Sequence, residues 1–356
     1  MTTVGLTGYG RYVPDETVTG EEIAEASGVP EEVVREKMGI EHKHVCPPDE
    51  DHVTDMCVAA AEEALSDAGI DPADLDLVLY HGSEYKDYVV WSAAANVTER
   101  LGAENAFATE SHTLCASAPI AVRQARAQLQ VDHLEAALLV TATREEDLID
   151  YDNERSSFMF NFGSGASAMV LESAPDSRSD GQEQSNGRGQ GAGRTRAVVH
   201  ESAAVTDGSF SEDVIMHAGG SLEPPSEETL EEDRHRLDVP DPDGMKERLE
   251  PVSLPNYLEV ADTALERSGF GRSDLDFVAI THMKRSFHEL VFEKLGLDPA
   301  TDGYYLEEYG HVQSADQIIA LEEGRREGLL EPGDLVCFLA AGTGYTWSAT
   351  VLRWLG

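Results

Sequence analysis

The chain has 356 residues, 41% of them hydrophobic, which is enough for two domains or for one large duplicated α/β unit. Asp and Glu number 68 against 26 Lys and Arg, so the formal net charge is −42 at pH 7. This balance argues against nucleic acid as a partner, because phosphates would meet like charge without a basic stripe to receive them.

The acidic excess runs through the whole chain, between strongly apolar segments such as Leu75–Tyr80 and Leu335–Ala340. Such a chain repels itself at low salt, because the Debye length falls from about 30 Å at 0.01 M to about 3 Å at 1 M. We therefore expect a folded enzyme from a halophile. The N-terminal sequence does not resemble a signal peptide, and no run of about 18 apolar residues occurs, so we expect a cytoplasmic protein without a membrane partner.

An internal repeat at an offset of 200 residues organises the chain: residues 60–82 align with residues 260–282. In both copies an amphipathic helix precedes a glycine, Gly69 or Gly269, that suits the left-handed position after a helix. An apolar run then predicts a buried strand. Further on, each copy has a loop that leads into a helix, with Cys115 in the first and His311 in the second. The repeat predicts that these two positions are pseudo-equivalent.

Each half closes with a glycine-rich strand start, at Phe162–Ala166 and at Gly342–Trp347. The stretch between the halves is rich in Ser, Gly, Gln and Arg and has no apolar periodicity, which is typical of a flexible linker. We predict an N-terminal half over residues 1–172, a linker over 173–196 and a C-terminal half over 197–356, with helices between two sheets.

Cys115 stands between a predicted strand and the predicted helix that follows it, so its sulfur is expected at a helix N-terminus, where a thiolate is stabilised. The matching strand of the second half, Val278–His282, ends in a histidine that can hold a proton or a hydrogen bond. No metal site is predicted. The alternating His42, His44 and Cys46 lack a second Cys/His cluster, and Asp316, on the helix after His311, is expected to be solvated.

Five stretches carry a resemblance that spans nearly the whole chain: Met38–Ile40, Cys115, Phe162–Ala166, His282 and Gly344–Trp347. In them the chain resembles the β-ketoacyl-acyl-carrier-protein synthase III branch of the thiolase-like superfamily. The resemblance implies a duplicated α/β fold of five layers, α-β-α-β-α. It also implies a homodimer formed through the strand that precedes Cys115.

The activity implied by the resemblance is a Claisen condensation, in which Cys115 takes an acyl group from a thioester and a second thioester attacks it. The backbone N–H groups of Cys115 and Thr343 would hold the oxyanion. The substrates would be thioesters of CoA or of acyl carrier protein, with no tightly bound cofactor. Four basic residues stand where cations would meet the CoA phosphates or lie beside His282, namely Lys37, Arg155, Lys284 and Arg285.

Two departures from the family pattern leave the second half-reaction open. His311 stands where the family has an asparagine, and Glu84 resembles the acid/base glutamate of HMG-CoA synthase, a sister family. A carboxylate there could deprotonate the acyl donor directly, as in a non-decarboxylative condensation. Two further alternatives are transfer of the acyl group to an oxygen or nitrogen acceptor, with His311 as base, and a weakly active scaffold subunit of a condensing complex. The predicted catalytic set is Cys115, His282, His311 and Glu84.

Overall fold

The computed structural model describes residues 2–132, 134–174 and 195–356. The described strands are β1 Thr3–Tyr12, β2 Thr17–Thr19, β3 His42–His44, β4 Leu77–Gly82, β5 Phe107–His112, β6 Ala136–Thr143, β7 Gly165–Ala174, β8 Ala197–Thr206, β9 Ile215–Met216, β10 Leu237–Asp238, β11 Phe277–Ile280, β12 Leu335–Gly342 and β13 Thr346–Trp354. The described α-helices are α1 Gly20–Ser27, α2 Val53–Ala68, α3 Ala93–Leu101, α4 Ser117–Val131, α5 Glu227–Glu231, α6 Pro242–Ser268, α7 Arg285–Leu295 and α8 Asp316–Arg326.

Nine strands form one mixed sheet in the order β11-β12-β13-β8-β1-β7-β6-β4-β5. The duplication is visible in this order, because β1-β7-β6-β4 in one half corresponds to β8-β13-β12-β11 in the other. The halves meet where β1 pairs antiparallel with β8, over Val4–Leu6 and Ala197–Val199. The two sheets expected from the sequence are therefore joined into one hydrogen-bonded ladder by this short contact.

The helices lie in three layers around the two halves of the sheet. Helix α4 packs on strands of both halves, and it shares a buried cluster with α8 that includes Leu77 from β4 and Phe277 from β11. Helices α2 and α3 cover the outer face of the first half, and α6 and α7 cover that of the second. The predicted five-layered α-β-α-β-α fold is confirmed.

Close packing of α2 on β1 depends on glycine. A Cβ atom added to Gly8 would lie 2.3 Å from the carbonyl oxygen of Ala64, and one added to Gly10 would lie 2.4 Å from that of Ala60. No side chain fits at these distances, so the two glycines let the helix backbone rest directly on the strand.

The repeat holds at the helix ends and corrects one expectation from the sequence. Gly69 and Gly269 both follow a helix in the left-handed conformation, with φ of 69° and 84°. Leu114 and Gln313 are also left-handed, with φ of 52° and 48°, and each opens a single 3₁₀ turn before α4 or α8. These turns make Ser314 the counterpart of Cys115. The predicted equivalence of Cys115 and His311 is wrong, because His311 lies before the turn.

The linker predicted over residues 173–196 falls mostly outside the described residues. On its two sides, Ser173 belongs to β7, and the backbone N–H of Arg196 donates to the carbonyl of Leu6 over 2.8 Å. Within the described part of the chain, no helix is long and apolar enough to cross a membrane.

Salt is expected to stabilise this fold. With a net charge of −42, the folded chain repels itself more strongly than its extended state, and screening relieves this repulsion. We expect the melting temperature to rise by at least about 10 °C between about 0.1 M and 2 M KCl, measured by differential scanning fluorimetry. A melting temperature that is flat or falls over this range would contradict the halophilic interpretation.

Candidate active site

Cys115 lies in the 3₁₀ turn that joins β5 to the amino end of α4, and only 5% of its surface is exposed. The left-handed Leu114 before it reverses the chain sharply, so the cysteine follows the end of a strand and precedes the free N–H groups of a helix. Such a position favours the thiolate form of a cysteine.

His311 faces Cys115 from the second half of the fold. Its Nε2 lies 3.1 Å from the Cys115 Sγ, and its Nδ1 lies 2.7 Å from Oδ2 of Asp316. Its backbone is clamped on both sides, since its N–H donates to the carbonyl of Asn161 over 2.7 Å and its carbonyl accepts from Gly163 over 3.0 Å. The three side chains form a nucleophile, a base and a carboxylate that orients the base.

Asp316 is fully buried, so the expectation that it is solvated is wrong. Its carboxylate accepts three N–H bonds of 2.7 Å, from the ring of His311 and from the backbones of Val312 and His282. Because Nδ1 of His311 must carry a hydrogen to make this bond, Nε2 is the atom that exchanges a proton with Cys115. Sequence reasoning missed Asp316, although its place as the first residue of a helix five positions after His311 was a usable signal.

The charge on His311 follows from its neighbours. Burial opposes its protonation, but the nearby carboxylate of Asp316 and the Cys115 sulfur outweigh burial and raise the pKa of His311 to about 10. In the resting site His311 is therefore an imidazolium at neutral pH, paired with the sulfur. An acyl-bearing cysteine needs this arrangement, since the thiolate is the nucleophile.

The charge of His311 makes a contribution to folding stability that depends on pH. Its folded pKa lies above the ordinary value of 6.5, so the stabilisation that its charge gains beside Asp316 is fully present below that value and is lost as pH rises through about 10. We expect the free energy of unfolding, measured by urea denaturation at high salt, to fall between pH 7 and 10 by more in the wild type than in His311→Gln, which has no titrating ring. An equal fall in both proteins would contradict this pairing.

His282 ends the strand segment that begins with β11, and it is 5% exposed. Burial and the charge of His311 lower its pKa to about 3, so it is neutral at ordinary pH. Its Nε2 lies 3.3 Å from the carbonyl of Met38, and its Nδ1 has no hydrogen-bond partner among the described residues. It is therefore suited to hydrogen bonding, whereas His311 is suited to proton transfer.

The turn between β12 and β13 approaches the backbone of Cys115 closely. A Cβ atom added to Gly342 would lie 2.8 Å from the backbone N of Ala116 and 3.1 Å from that of Cys115. Thr343 follows Gly342 directly and begins the turn between the two strands.

Replacing Gly342 with alanine is expected to push this turn away from Cys115. The added methyl group would meet backbone atoms that cannot rotate aside, so we expect acylation to slow on the order of 10²-fold, as when one oxyanion donor is lost. Stopped-flow measurement of CoA release gives this rate. Gly208→Ala is the matched control, because an added Cβ there meets nothing within 4 Å. Equal rates for both variants would contradict the proposed oxyanion site.

The other predicted site residues are exposed or form ion pairs of their own. Glu84 is exposed over 74% of its side chain and pairs with Nδ1 of His112 at 2.7 Å. Arg155 pairs with Asp238 at 2.8 Å, and Arg285 pairs with Glu307 and lies 4.3 Å over the ring of Tyr305. Lys37 and Lys284 are exposed, and they flank the contact of His282 with Met38 in the chain. A search of the described residues finds no group of three or more His, Cys, Asp or Glu side chains that could hold a metal.

Comparison with known proteins shows similarity to one enzyme family in both halves of the chain. A model for 3-oxoacyl-[acyl-carrier-protein] synthase III matches residues 110–187, and one for the C-terminal part of the same enzyme matches residues 265–354. The β-ketoacyl-[acyl-carrier-protein] synthase III of Desulfitobacterium hafniense strain Y51 is 27% identical over 354 residues, covering 99% of this chain and 98% of that protein. That of Symbiobacterium thermophilum is 25% identical over 351 residues, covering 99% and 98%.

Among solved structures, 3-oxoacyl-[acyl-carrier-protein] synthase III from Aquifex aeolicus aligns with a TM-score of 0.80 at 22% identity, covering 99% of this chain and 100% of that one. The acyltransferase ChlB3 aligns with a TM-score of 0.78 at 23% identity, covering 99% and 98%. The curated relatives and the fold indicate a condensing acyltransferase of the thiolase-like class. The chain is similar to 3-oxoacyl-[acyl-carrier-protein] synthase III over nearly its whole length.

Proposed function

We propose that the protein carries an acyl group on Cys115 and condenses it with a second thioester, and that Cys115, His311 and Asp316 act as one catalytic unit. The observation that carries this proposal is the 3.1 Å contact of the Cys115 Sγ with Nε2 of a histidine whose other nitrogen is fixed by a buried carboxylate. The acyl donors we propose are thioesters of CoA or of acyl carrier protein.

In the first half-reaction the Cys115 thiolate attacks the carbonyl carbon of the acyl thioester. The oxyanion that forms is held by the N–H groups of Cys115 and Thr343. The carbon-sulfur bond of the donor then breaks, and the departing thiolate takes the proton from Nε2 of His311. This step leaves an acyl-Cys115 thioester beside a neutral His311, which is now a base.

In the second half-reaction a carbanion attacks the carbonyl carbon of acyl-Cys115, a carbon-carbon bond forms, and the Cys115 thiolate leaves. The carbanion can arise from a malonyl-type thioester by loss of CO₂, after which His311 regains its proton from solvent. It can also arise when neutral His311 removes a proton from the α-carbon of an acyl thioester. In both routes His282 stays neutral and offers hydrogen bonds only.

A second candidate is transfer of the acyl group to an O–H or N–H acceptor. The 2.7 Å bond from His311 to Asp316 favours it, because a carboxylate that orients a histidine is the usual device for deprotonating a hydroxyl or amine nucleophile. Here His311 takes the acceptor's proton while the new bond to the acyl carbon forms, so the acceptor replaces the carbanion of the first candidate.

The substrate side and the oligomeric state are also proposals. Lys37 and Lys284 are exposed and stand one residue before Met38 and two residues after His282, so they are suited to meet the phosphates of CoA or of a carrier's prosthetic group. We propose a homodimer through β5, which ends the nine-stranded sheet and exposes 49% of Phe107. An open strand edge of this kind invites pairing with a second chain.

The acyl-enzyme itself can decide between the candidates. Enzyme loaded from an acyl-CoA at high salt and freed of excess donor is offered malonyl-CoA, acetyl-CoA, or a panel of alcohols and amines. A β-keto product from malonyl-CoA or acetyl-CoA supports condensation. If acetyl-CoA gives this product without malonyl-CoA, the reaction follows the non-decarboxylative route. Esters or amides without a β-keto product support the second candidate. An enzyme that never loads would contradict both and leave the scaffold alternative.

A further inference from the structure

Lys43, in the middle of the short strand β3, has a side chain that is fully buried. Its Nζ donates to the carbonyl of Phe162 over 2.5 Å and lies 5.4 Å from the centre of the Tyr151 ring. Burial lowers the pKa of Lys43 to about 8, and the nearby Glu146 opposes this shift only in part. A buried lysine is costly, so a side chain that stays in such a place has a specific partner.

The partner of Lys43 belongs to the segment that holds the base. Asn161 accepts the backbone N–H of His311 over 2.7 Å, and Gly163 donates to the His311 carbonyl over 3.0 Å. Phe162, between them, has its ring 5.2 Å from the His311 ring. The backbone of Asn161–Gly163 therefore forms a clamp around His311, and Lys43 binds the carbonyl of its middle residue, Phe162.

Packing makes this clamp rigid from the Lys43 side. A Cβ atom added to Gly310, which precedes His311, would lie 2.9 Å from the Cβ of Lys43 and 2.5 Å from the carbonyl oxygen of Asn161. The strand and the clamp therefore touch the loop of His311 with no space between them. Loss of the ammonium group would free the Phe162 carbonyl in an apolar environment and loosen the clamp.

We propose that Lys43 is a positioning residue for His311: its ammonium group fixes the Phe162 carbonyl and thereby holds Nε2 of His311 on the Cys115 sulfur. The proposal concerns the resting site and rests on the proposed function only in that His311 serves Cys115. It needs no acyl donor, so its test is independent of which acyl group or acceptor the enzyme uses.

The test compares Lys43→Met with the matched control Lys294→Met, which removes an exposed lysine on α7 that pairs with its neighbour Glu293. We expect the alkylation rate of Cys115 by iodoacetamide at pH 7 to fall about 10- to 100-fold in Lys43→Met, as for a misplaced catalytic group. We also expect the pH profile of this rate to differ from that of the wild type, because His311 is no longer held at the sulfur. The control should keep the wild-type rate and profile.

A purely structural role for Lys43 would lower the melting temperature without changing the pH profile of the folded fraction. A folded Lys43→Met protein with the wild-type alkylation rate and profile would therefore overturn the proposal. Lys43→Gln has no charge and a side chain one bond shorter, so its amide does not reach the Phe162 carbonyl as the lysine does. It is measured in parallel and decides in the same way if the methionine variant does not fold. Alkylation needs no acyl donor, so the two proposals can fail separately. A wild-type protein that forms no acyl-enzyme would contradict the proposed function, whereas unchanged alkylation in the Lys43 variants would contradict the positioning role of Lys43.

Discussion

Replacing Cys115 with alanine is expected to abolish acyl transfer. Cys115 lies between the end of a strand and the start of a helix, and a histidine nitrogen lies 3.1 Å from its sulfur. No other side chain of the described site has this position and this contact, so we expect none to replace it as nucleophile. We expect CoA release from an acyl-CoA to fall on the order of 10⁴-fold or more, as when the nucleophile of a catalytic triad is removed. The rate is measured with a thiol reagent at high salt.

The control for this variant is Cys337→Ala, since Cys337 is a fully buried cysteine on β12 whose pKa is raised by burial. It should lose some stability, on the order of 1 kcal/mol for a small cavity, but keep its turnover. Turnover in the Cys115→Ala protein comparable with that of this control would show that the acyl group travels by another route.

Replacing Asp316 with asparagine is expected to have the second largest effect. The amide keeps the shape of the side chain but removes the charge that holds His311 protonated and can present an N–H group to the Nδ1 of His311. Without the carboxylate, His311 is no longer restricted to the tautomer that carries its hydrogen on Nδ1. We expect acylation to slow on the order of 10³- to 10⁴-fold, as when the carboxylate that orients a catalytic histidine is replaced by an amide. We also expect the pH profile of Cys115 alkylation to differ from that of the wild type.

A matched control is Asp76→Asn. The carboxylate of Asp76 also accepts two backbone N–H bonds, from Glu135 at 2.7 Å and Ala136 at 3.1 Å, but at the far ends of the strands from the site. Both variants should lose stability for the same reason, because an acceptor of backbone N–H bonds is weakened in each. Equal activity losses in the two proteins would mean that Asp316 acts only in folding.

Much of the fold can be predicted from the sequence because the duplication repeats its local signals. Gly69 and Gly269 end helices in both halves, and the apolar runs after them are the buried strands β4 and β11. The joining of the halves into one ladder could not be predicted, since it depends on three residue pairs of β1 and β8 that carry no distinctive pattern.

The candidate site was predicted in part. Cys115, His282 and His311 were found from repeat positions and family motifs, but the roles of the two histidines could not be separated. The separation depends on the buried carboxylate of Asp316, which bonds the side chain of His311 and only the backbone of His282. The role of Lys43 could not be predicted either, because a lysine between two histidines is typical of a surface strand. Only the structure shows its contact with the Phe162 carbonyl.

The replacement of the family's asparagine by His311 has a chemical consequence. An asparagine can donate and accept hydrogen bonds but does not take up a proton near neutral pH, whereas a histidine oriented by Asp316 can carry the proton that leaves with the donor thiol and then accept one from the second substrate. We therefore propose that this site does not need a decarboxylating donor, and that the identity of the second substrate distinguishes the candidate reactions.

Intact-mass spectrometry of the protein after incubation with acyl-CoAs at high salt tests the central claim most directly, when it is followed by peptide mapping. We predict a mass gain of one acyl group on the peptide that contains Cys115, lost with hydroxylamine and absent in Cys115→Ala. No mass gain across a panel of acyl-CoA and acyl-carrier-protein donors, or an acyl group that maps to another residue, would contradict it.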